Sequence, residues 1–117
     1  MPLAVVGASH RTAPIELRER LALGRAEVPA ALLALSTGGQ EAVVLSTCNR
    51  TEIYLALPDG GDGVERARAL LAARMGLDAA GAARHLYVHR DRHAAEHLFR
   101  VASGLDSMIL GEPQIQG

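Results

Sequence analysis

Apolar residues recur along the chain with two different periods, and the change from one period to the other marks the predicted elements. Four stretches have a short, strand-like pattern: residues 3–6, 42–45, 52–57 and 85–89. Residues 42–45 form a continuous apolar run, which is typical of a strand buried on both faces. In residues 52–57 and 85–89 apolar positions alternate with polar ones, which predicts strands with one exposed face.

Helical periodicity fills the segments between these strands. The sequence predicts a short helix after Pro14, a second that stops at Gly38, a third that ends near Gly76, and a fourth that Asp91 caps. Each helix is expected to bury one apolar stripe. These stripes are Leu17 and Leu21; Val28, Leu32 and Leu35; Val64, Ala67, Leu71 and Met75; and Ala94 or Ala95, Leu98 and Ala102.

The order of the predicted elements is strand, helices, strand, strand, helix, strand, helix. This order predicts an α+β domain of the ferredoxin-like, split β-α-β kind, in which helices back a four-stranded antiparallel sheet. The 117 residues fit one domain, 1–117. Residues 104–117 stop in mid-pattern without a terminal cap, so we expect the chain to be cut from a longer protein.

Composition narrows the possible function classes. The single cysteine, Cys48, excludes an internal disulfide framework and a multi-cysteine zinc site. A formal net charge of −1 argues against a nonspecific polyanion binder, and the sequence has no glycine-rich phosphate-binding pattern. No apolar run has the length of a membrane span, and the N-terminus lacks the pattern of a signal peptide. We therefore expect a cytoplasmic protein without membrane contact.

Cys48 follows the apolar run 42–45 and lies in a polar tract, residues 46–52. The thiolate is the reactive form of cysteine, and a neighbouring guanidinium such as that of Arg50 stabilises it. In an extended chain Cys48, Arg50 and Glu52 project to the same side. Two interpretations stay open at this point: a nucleophilic thiol at the end of a sheet, and a small buried cysteine beside a strand.

Four histidines recur at every fourth position: His85, His89, His93 and His97. The last two belong to an H-x-x-E-H pattern, which also occurs in one class of zinc peptidases. A catalytic zinc site needs a third protein ligand, usually well downstream, and the sequence ends soon after; we expect no metal site. His97 flanks the apolar stripe of its helix, a position that suits a proton donor or acceptor.

Three segments together resemble one protein family. They are residues 6–14, VGASHRTAP; residues 46–52, STCNRTE; and residues 97–115, HLFRVASGLDSMILGEPQI. In this order they resemble the N-terminal catalytic domain of the glutamyl-tRNA reductase family. The resemblance implies an NADPH-dependent oxidoreductase that makes glutamate-1-semialdehyde from glutamyl-tRNA in tetrapyrrole (haem) biosynthesis.

The resemblance also implies roles for individual residues. Cys48 would attack the aminoacyl ester, release tRNA and leave a glutamyl thioester for reduction by hydride. His97 would assist proton transfer near that thioester. Arg50 suits a bidentate grip on the substrate's side-chain carboxylate, and Glu112 would receive its α-ammonium. The residues that would bind the glutamyl group are Thr47, Asn49, Arg50, Ser107, Glu112, Pro113 and Gln114.

Partners follow from the same resemblance. The NADPH-binding and dimerisation domains would lie beyond residue 117, so residues 1–117 alone are expected to acylate Cys48 and slowly hydrolyse the thioester. The implied partners are glutamyl-tRNA, a second copy in a full-length homodimer, and the next enzyme, glutamate-1-semialdehyde aminomutase. Two alternatives stay open. One is a noncatalytic module that binds tRNA or a protein through Arg11, Arg18, Arg20 and Arg25, and the other is a metal or haem sensor that uses Cys48 and the histidines.

Overall fold

The computed structural model describes residues 2–36, 40–57 and 63–104 of the chain. Its elements, in chain order, are β1 (Leu3–Ser9), α1 (Ile15–Leu21), α2 (Val28–Leu35), β2 (Glu41–Ser46), β3 (Arg50–Ala56), α3 (Gly63–Met75), α4 (Ala79–Ala83), β4 (Tyr87–Arg90) and α5 (Arg92–Ala102). Helix α4 is absent from the sequence prediction. Its signal is Asp78, whose side chain accepts a hydrogen bond from the Gly81 N–H at 2.8 Å and caps the helix.

The four strands form one antiparallel sheet in the order β2-β3-β1-β4. This order confirms the predicted ferredoxin-like α+β fold. The two inner strands are β3 and β1, so residues on them have a neighbour on either side. Gly7 of β1 is paired with Glu52 of β3 on one side and with Tyr87 of β4 on the other.

One face of the sheet carries the apolar core. Ala4, Val6, Ile53 and Leu55 project from this face and contact apolar residues of α1, α2 and α3. The stripe predicted for the third helix is confirmed, since Val64, Ala67, Leu71 and Met75 are all buried. Gly76, with φ of +72°, ends that helix as predicted, in a conformation that glycine adopts at little cost.

The exposures predicted for β2 and β3 were wrong. The apolar run 42–45 lies on edge strand β2, where Val43 is 63% exposed, whereas the alternating strand β3 is central and nearly all buried. The reason is that the polar residues of β3 find partners on the second face of the sheet. A polar side chain is stable in the interior when its hydrogen bonds are satisfied there.

Helix α5 covers that second face. Of the predicted stripe, Ala94 is buried, but His97 and Val101 are buried in place of Leu98 and Ala102, and Leu98 is 45% exposed. The predicted cap was also wrong in its chemistry. Asp91 occupies the N-cap position, but its side chain accepts a hydrogen bond from the Leu3 N–H at 3.1 Å and makes no cap bond to the helix.

Two arginines join α1 and α3 at their ends. Arg20 of α1 donates to the carbonyl of Met75 at 3.1 Å, and Arg74 of α3 donates to the carbonyl of Ala22 at 2.6 Å. Cations suit these positions because the last carbonyls of a helix lack partners within it. Among the described residues, no helix combines the length and apolar character needed to cross a membrane.

Candidate active site

Cys48 lies in the tight turn that connects β2 to β3. The Thr47 N–H donates to the Arg50 carbonyl at 2.7 Å, and the Asn49 N–H donates to Thr47 Oγ1 at 3.2 Å. The turn is tied to the rest of the domain by the His10 N–H, which donates to the Asn49 carbonyl at 2.8 Å. The backbone around the cysteine is therefore held by several local hydrogen bonds.

The side chain of Cys48 is exposed at this turn. The interpretation of Cys48 as a small buried cysteine was therefore wrong. Arg18 of α1 reaches the same turn, where its Nη1 lies 3.5 Å from the Cys48 carbonyl oxygen. The thiol thus lies on the surface, where an electrophile can reach it, and Arg18 contacts the backbone of the same turn.

A buried carboxylate, Glu52, lies on the sheet face that α5 covers. Its two oxygens are shared among four side chains. Tyr54 donates to Oε1 at 2.8 Å, while the Tyr87 hydroxyl, His97 Nε2 and Arg50 Nη1 all meet Oε2, the last at 3.4 Å. Glu52 and Arg50 have no exposed side-chain surface. We call Arg50, Glu52, Tyr54, Tyr87 and His97 the Glu52 cluster.

Electrostatics favour the ionised form of Glu52 in this setting. Burial by itself raises the pKa of the Glu52 carboxyl, but hydrogen bonds from His97 and Tyr87 outweigh it and hold the pKa below its ordinary value. Burial and the adjacent carboxylate raise the pKa of Tyr54 and of Tyr87. Both phenols therefore stay protonated and act as donors to Glu52.

His97 is oriented by its bond to Glu52. Its Nε2 is engaged by the carboxylate, and no hydrogen bond joins Nδ1 to any residue of 2–36, 40–57 or 63–104. Its ring lies 5.2 Å from the ring of Tyr87 and 4.8 Å from that of His89, measured between centroids. Burial, followed by the nearby His97, lowers the pKa of His89. Among the described residues, Nε2 is therefore the ring nitrogen of His97 that has a hydrogen-bond partner.

The structure brings together only some of the residues predicted for the site. Arg50 and His97 meet at Glu52, while Thr47, Cys48 and Asn49 form the adjoining turn. The remaining predicted residues, Ser107, Glu112, Pro113 and Gln114, lie outside the described residues. Thr47 uses its hydroxyl within the turn, and Arg50 is buried against Glu52, so both have structural partners in addition to any role with a substrate.

The histidine pattern does not assemble a metal site. His93 is mostly exposed and lies 3.5 Å from Glu96 on the outer side of α5, whereas His97 is buried against the sheet. In the described parts of the chain, no group of three or more His, Cys, Asp or Glu residues could hold a metal ion.

Two members of the Glu52 cluster, Tyr54 and Tyr87, were missed as site residues. Glu52 was recognised only as lying on the same side as Cys48 and Arg50. The signal was available in the sequence, because Glu52 and Tyr54 are the polar positions of an alternating strand and Tyr87 is the polar position of another. Only the strand order shows that these positions face one another across Gly7.

Comparison with known proteins gives the family. The family model described as "Glutamyl-tRNAGlu reductase, N-terminal domain" matches residues 6–117. The chain belongs to this family. It is 49% identical to the glutamyl-tRNA reductase of Syntrophotalea carbinolica over 119 aligned positions and 50% identical to that of Salinispora arenicola. Both alignments cover 100% of this chain, but only 27% and 26% of those two glutamyl-tRNA reductases.

A solved glutamyl-tRNA reductase has the same fold over this region. The structure from Methanopyrus kandleri aligns with a TM-score of 0.62 and 29% sequence identity. The alignment covers 97% of this chain and 25% of that one. The chain thus spans about a quarter of the length of the glutamyl-tRNA reductases it matches.

The described residues do not fit a dinucleotide such as NADPH. A dinucleotide site of the common kind needs a parallel strand, a glycine-rich turn and a helix N-terminus. Here the sheet is antiparallel, and Gly7 lies inside β1, where a Cβ would be 2.7 Å from the Thr51 carbonyl oxygen. We assign no hydride transfer to these residues.

Proposed function

We propose that this domain performs the acyl-transfer half of the glutamyl-tRNA reductase reaction, with Cys48 as nucleophile. The thiolate sulfur attacks the carbonyl carbon of the ester in glutamyl-tRNA, and a carbon–sulfur bond forms. The bond from that carbon to the ribose oxygen breaks, and the oxygen leaves with a proton as a hydroxyl. The products are a glutamyl thioester on Cys48 and uncharged tRNA.

His97 would manage the proton in this step. With Nε2 engaged by Glu52, Nδ1 is the atom that would take the proton of the Cys48 thiol and return it to the leaving ribose oxygen. The buried Glu52 carboxylate stabilises the imidazolium that forms in between, as an acidic residue does in a catalytic triad. The family resemblance implies that Arg50 binds the carboxylate of the glutamyl group, and because Arg50 is buried against Glu52, this contact would require its guanidinium to become accessible to the substrate.

One observation carries this proposal: the Cys48 thiol is exposed in a hydrogen-bonded turn next to the Glu52 cluster. Family membership supplies the substrate, glutamyl-tRNA. It also supports NADPH as hydride donor, a homodimer and contact with glutamate-1-semialdehyde aminomutase, all proposed for the longer protein. The alternative of a docking module is weakened, because Arg18 and Arg20 already donate to backbone carbonyls within the domain.

The test is intact-mass analysis of the chain after brief exposure to glutamyl-tRNA. We expect the mass of one glutamyl group on the wild type and no adduct on Cys48→Ser. His97→Gln should form the adduct at least about tenfold more slowly. A general acid–base group contributes about 100-fold or more when proton transfer fully limits the rate, and less when another step also limits it. His93→Gln, an exposed change on the same helix, is the matched control and should react like the wild type.

Two results would contradict the proposal. One is an adduct of equal yield on Cys48→Ser. The other is an intact tRNA ester after prolonged exposure to a wild-type chain whose circular dichroism shows that it is folded. Release of free glutamate without added NADPH, lost in Cys48→Ser, would show the slow thioester hydrolysis expected of residues 1–117.

A further inference from the structure

Tyr87 is joined to the Glu52 cluster from the far side of β1. Its strand, β4, and the strand of Glu52, β3, are not neighbours, because β1 runs between them. Gly7 is the residue of β1 that faces both. The Tyr87 hydroxyl nevertheless hydrogen-bonds Oε2 of Glu52.

The missing side chain at Gly7 makes this contact possible. A Cβ at position 7 would lie 2.8 Å from Cγ of Glu52 and 2.7 Å from the Thr51 carbonyl oxygen. Contacts this short require neighbouring atoms to move, and the carbonyl is backbone. Glycine therefore leaves a gap on the sheet surface through which a phenol from β4 reaches a carboxylate on β3.

The two tyrosines of the cluster act on different oxygens of Glu52. Tyr54 donates to Oε1, whereas Tyr87 shares Oε2 with His97. The ring of Tyr87 also lies 5.2 Å from the imidazole of His97, a contact not made by Tyr54 within the described residues. Tyr87 thus touches both partners of the bond that orients the imidazole.

We propose that Tyr87 is a positioning residue: its hydroxyl, reaching across Gly7, holds the Glu52 carboxylate so that His97 binds it through Nε2 and leaves Nδ1 for the acyl-transfer step. The effect of Tyr87 on acyl transfer rests on the function proposed above, whereas the positioning of His97 by Tyr87 does not. Burial and the neighbouring Glu52 raise the pKa of Tyr87 above its ordinary value. The phenol therefore stays protonated and can donate a hydrogen bond.

A spectroscopic test needs no substrate. In ¹⁵N-labelled chain, the Nε2–H of His97, protected by a buried carboxylate, should give a slowly exchanging downfield proton resonance that His97→Gln removes. We expect Tyr87→Phe to lose this resonance through rapid exchange, and Tyr54→Phe to retain it. A Tyr87→Phe spectrum that keeps the resonance, at the wild-type shift and exchange rate, would overturn the proposal.

A second measurement avoids any risk that Tyr87→Phe fails to fold. The chain has two tyrosines, so a Tyr54→Phe chain grown on 3-fluorotyrosine carries the label at Tyr87 alone. The fluorinated phenol is a stronger hydrogen-bond donor and should draw charge from Oε2. The His97 Nε2–H resonance should then move upfield, and an unchanged shift would count against an oxygen shared by the two residues.

The kinetic test uses the acylation assay. Tyr87→Phe should slow adduct formation about tenfold, in line with loss of a hydrogen bond to a charged group. Tyr54→Phe, which removes a donor to the other oxygen of Glu52, should slow it less, and the exposed change His93→Gln should leave the rate unchanged. Equal slowing by both tyrosine variants would show a merely structural role for Tyr87. If wild-type chain formed no adduct while the resonances behaved as expected, the proposed function would fail and the positioning of His97 by Tyr87 would stand.

Discussion

At the residue scale, the decisive feature is a carboxylate buried in a sheet and surrounded by donors. Isolated, a buried carboxylate would be strongly destabilising; here both oxygens of Glu52 are hydrogen-bonded and Arg50 and His97 flank it. An alternating strand with Glu and Tyr at its polar positions is the sequence pattern of a half-exposed strand. In the folded domain Glu52 and Tyr54 are instead covered, because Glu52 has hydrogen-bond partners on β3, β4 and α5.

Glu52→Gln should destabilise the fold in a pH-dependent way. The folded pKa of Glu52 lies below its unfolded value, so its charge stabilises the fold above the unfolded pKa. That stabilisation is lost as the pH falls through the folded pKa. We expect a loss of about 3 kcal/mol in unfolding free energy at about pH 7, which shrinks below about pH 4, measured by urea denaturation.

Glu41→Gln is the matched control for this comparison. Glu41 is exposed on edge strand β2, so its substitution should change the unfolding free energy by less than about 0.5 kcal/mol. A Glu52→Gln deficit of the same size at neutral and acidic pH would mean that packing, not charge, makes Glu52 necessary.

At the scale of elements, the turn between β2 and β3 sets the position of the nucleophile. Thr47 Oγ1 accepts the Asn49 N–H, a local side-chain bond that favours a turn over continued strand. The family resemblance implies a substrate contact for Thr47. The hydrogen bond gives Thr47 a structural role in the same turn. The two roles predict different effects of substitutions at Thr47.

Thr47→Val keeps the shape of the side chain and removes the acceptor. Loss of this hydrogen bond should lower the unfolding free energy by about 1 kcal/mol and slow acylation of Cys48. Thr47→Ser retains the oxygen and should restore both. Should Thr47→Val slow acylation at wild-type stability, measured by urea denaturation, the hydroxyl would act on substrate and not on the turn.

At the scale of the whole molecule, the sheet separates two environments. One face packs on α1, α2 and α3 in an apolar core, and the other holds the Glu52 cluster beneath α5. Beside the cluster, α5 and β2 border a groove of about 580 Å³ where Val43 and Phe99 are exposed. The orientation of α5 about its own axis determines that His97, and not Leu98, faces the sheet and contacts Glu52.

A pair of alanine substitutions tests this orientation of α5. Val101→Ala should lower the unfolding free energy by about 2 kcal/mol, because Val101 is 1% exposed. Leu98→Ala removes more atoms but should cost less than about 1 kcal/mol, because Leu98 is 45% exposed. The reverse order, measured by urea denaturation, would support the stripe that the sequence predicted and would turn His97 away from Glu52.

The sequence by itself determined the type and order of every described element except α4, and through them the ferredoxin-like sheet. Hydrophobic period and turn residues are local properties, so they could be read before any contact was known. The short tract around Cys48, together with the segments 6–14 and 97–115, also determined the family, since such resemblance needs no coordinates.

Only the tertiary structure decided which strand is central, which side of α5 is buried and what surrounds Glu52. These depend on pairing between residues far apart in the chain, such as Glu52 with Tyr87 and His97. Periodicity gives each strand two faces and each helix a stripe, but it does not say what lies opposite them. A polar residue can be buried only where a distant partner satisfies it, and that partner is fixed by the fold.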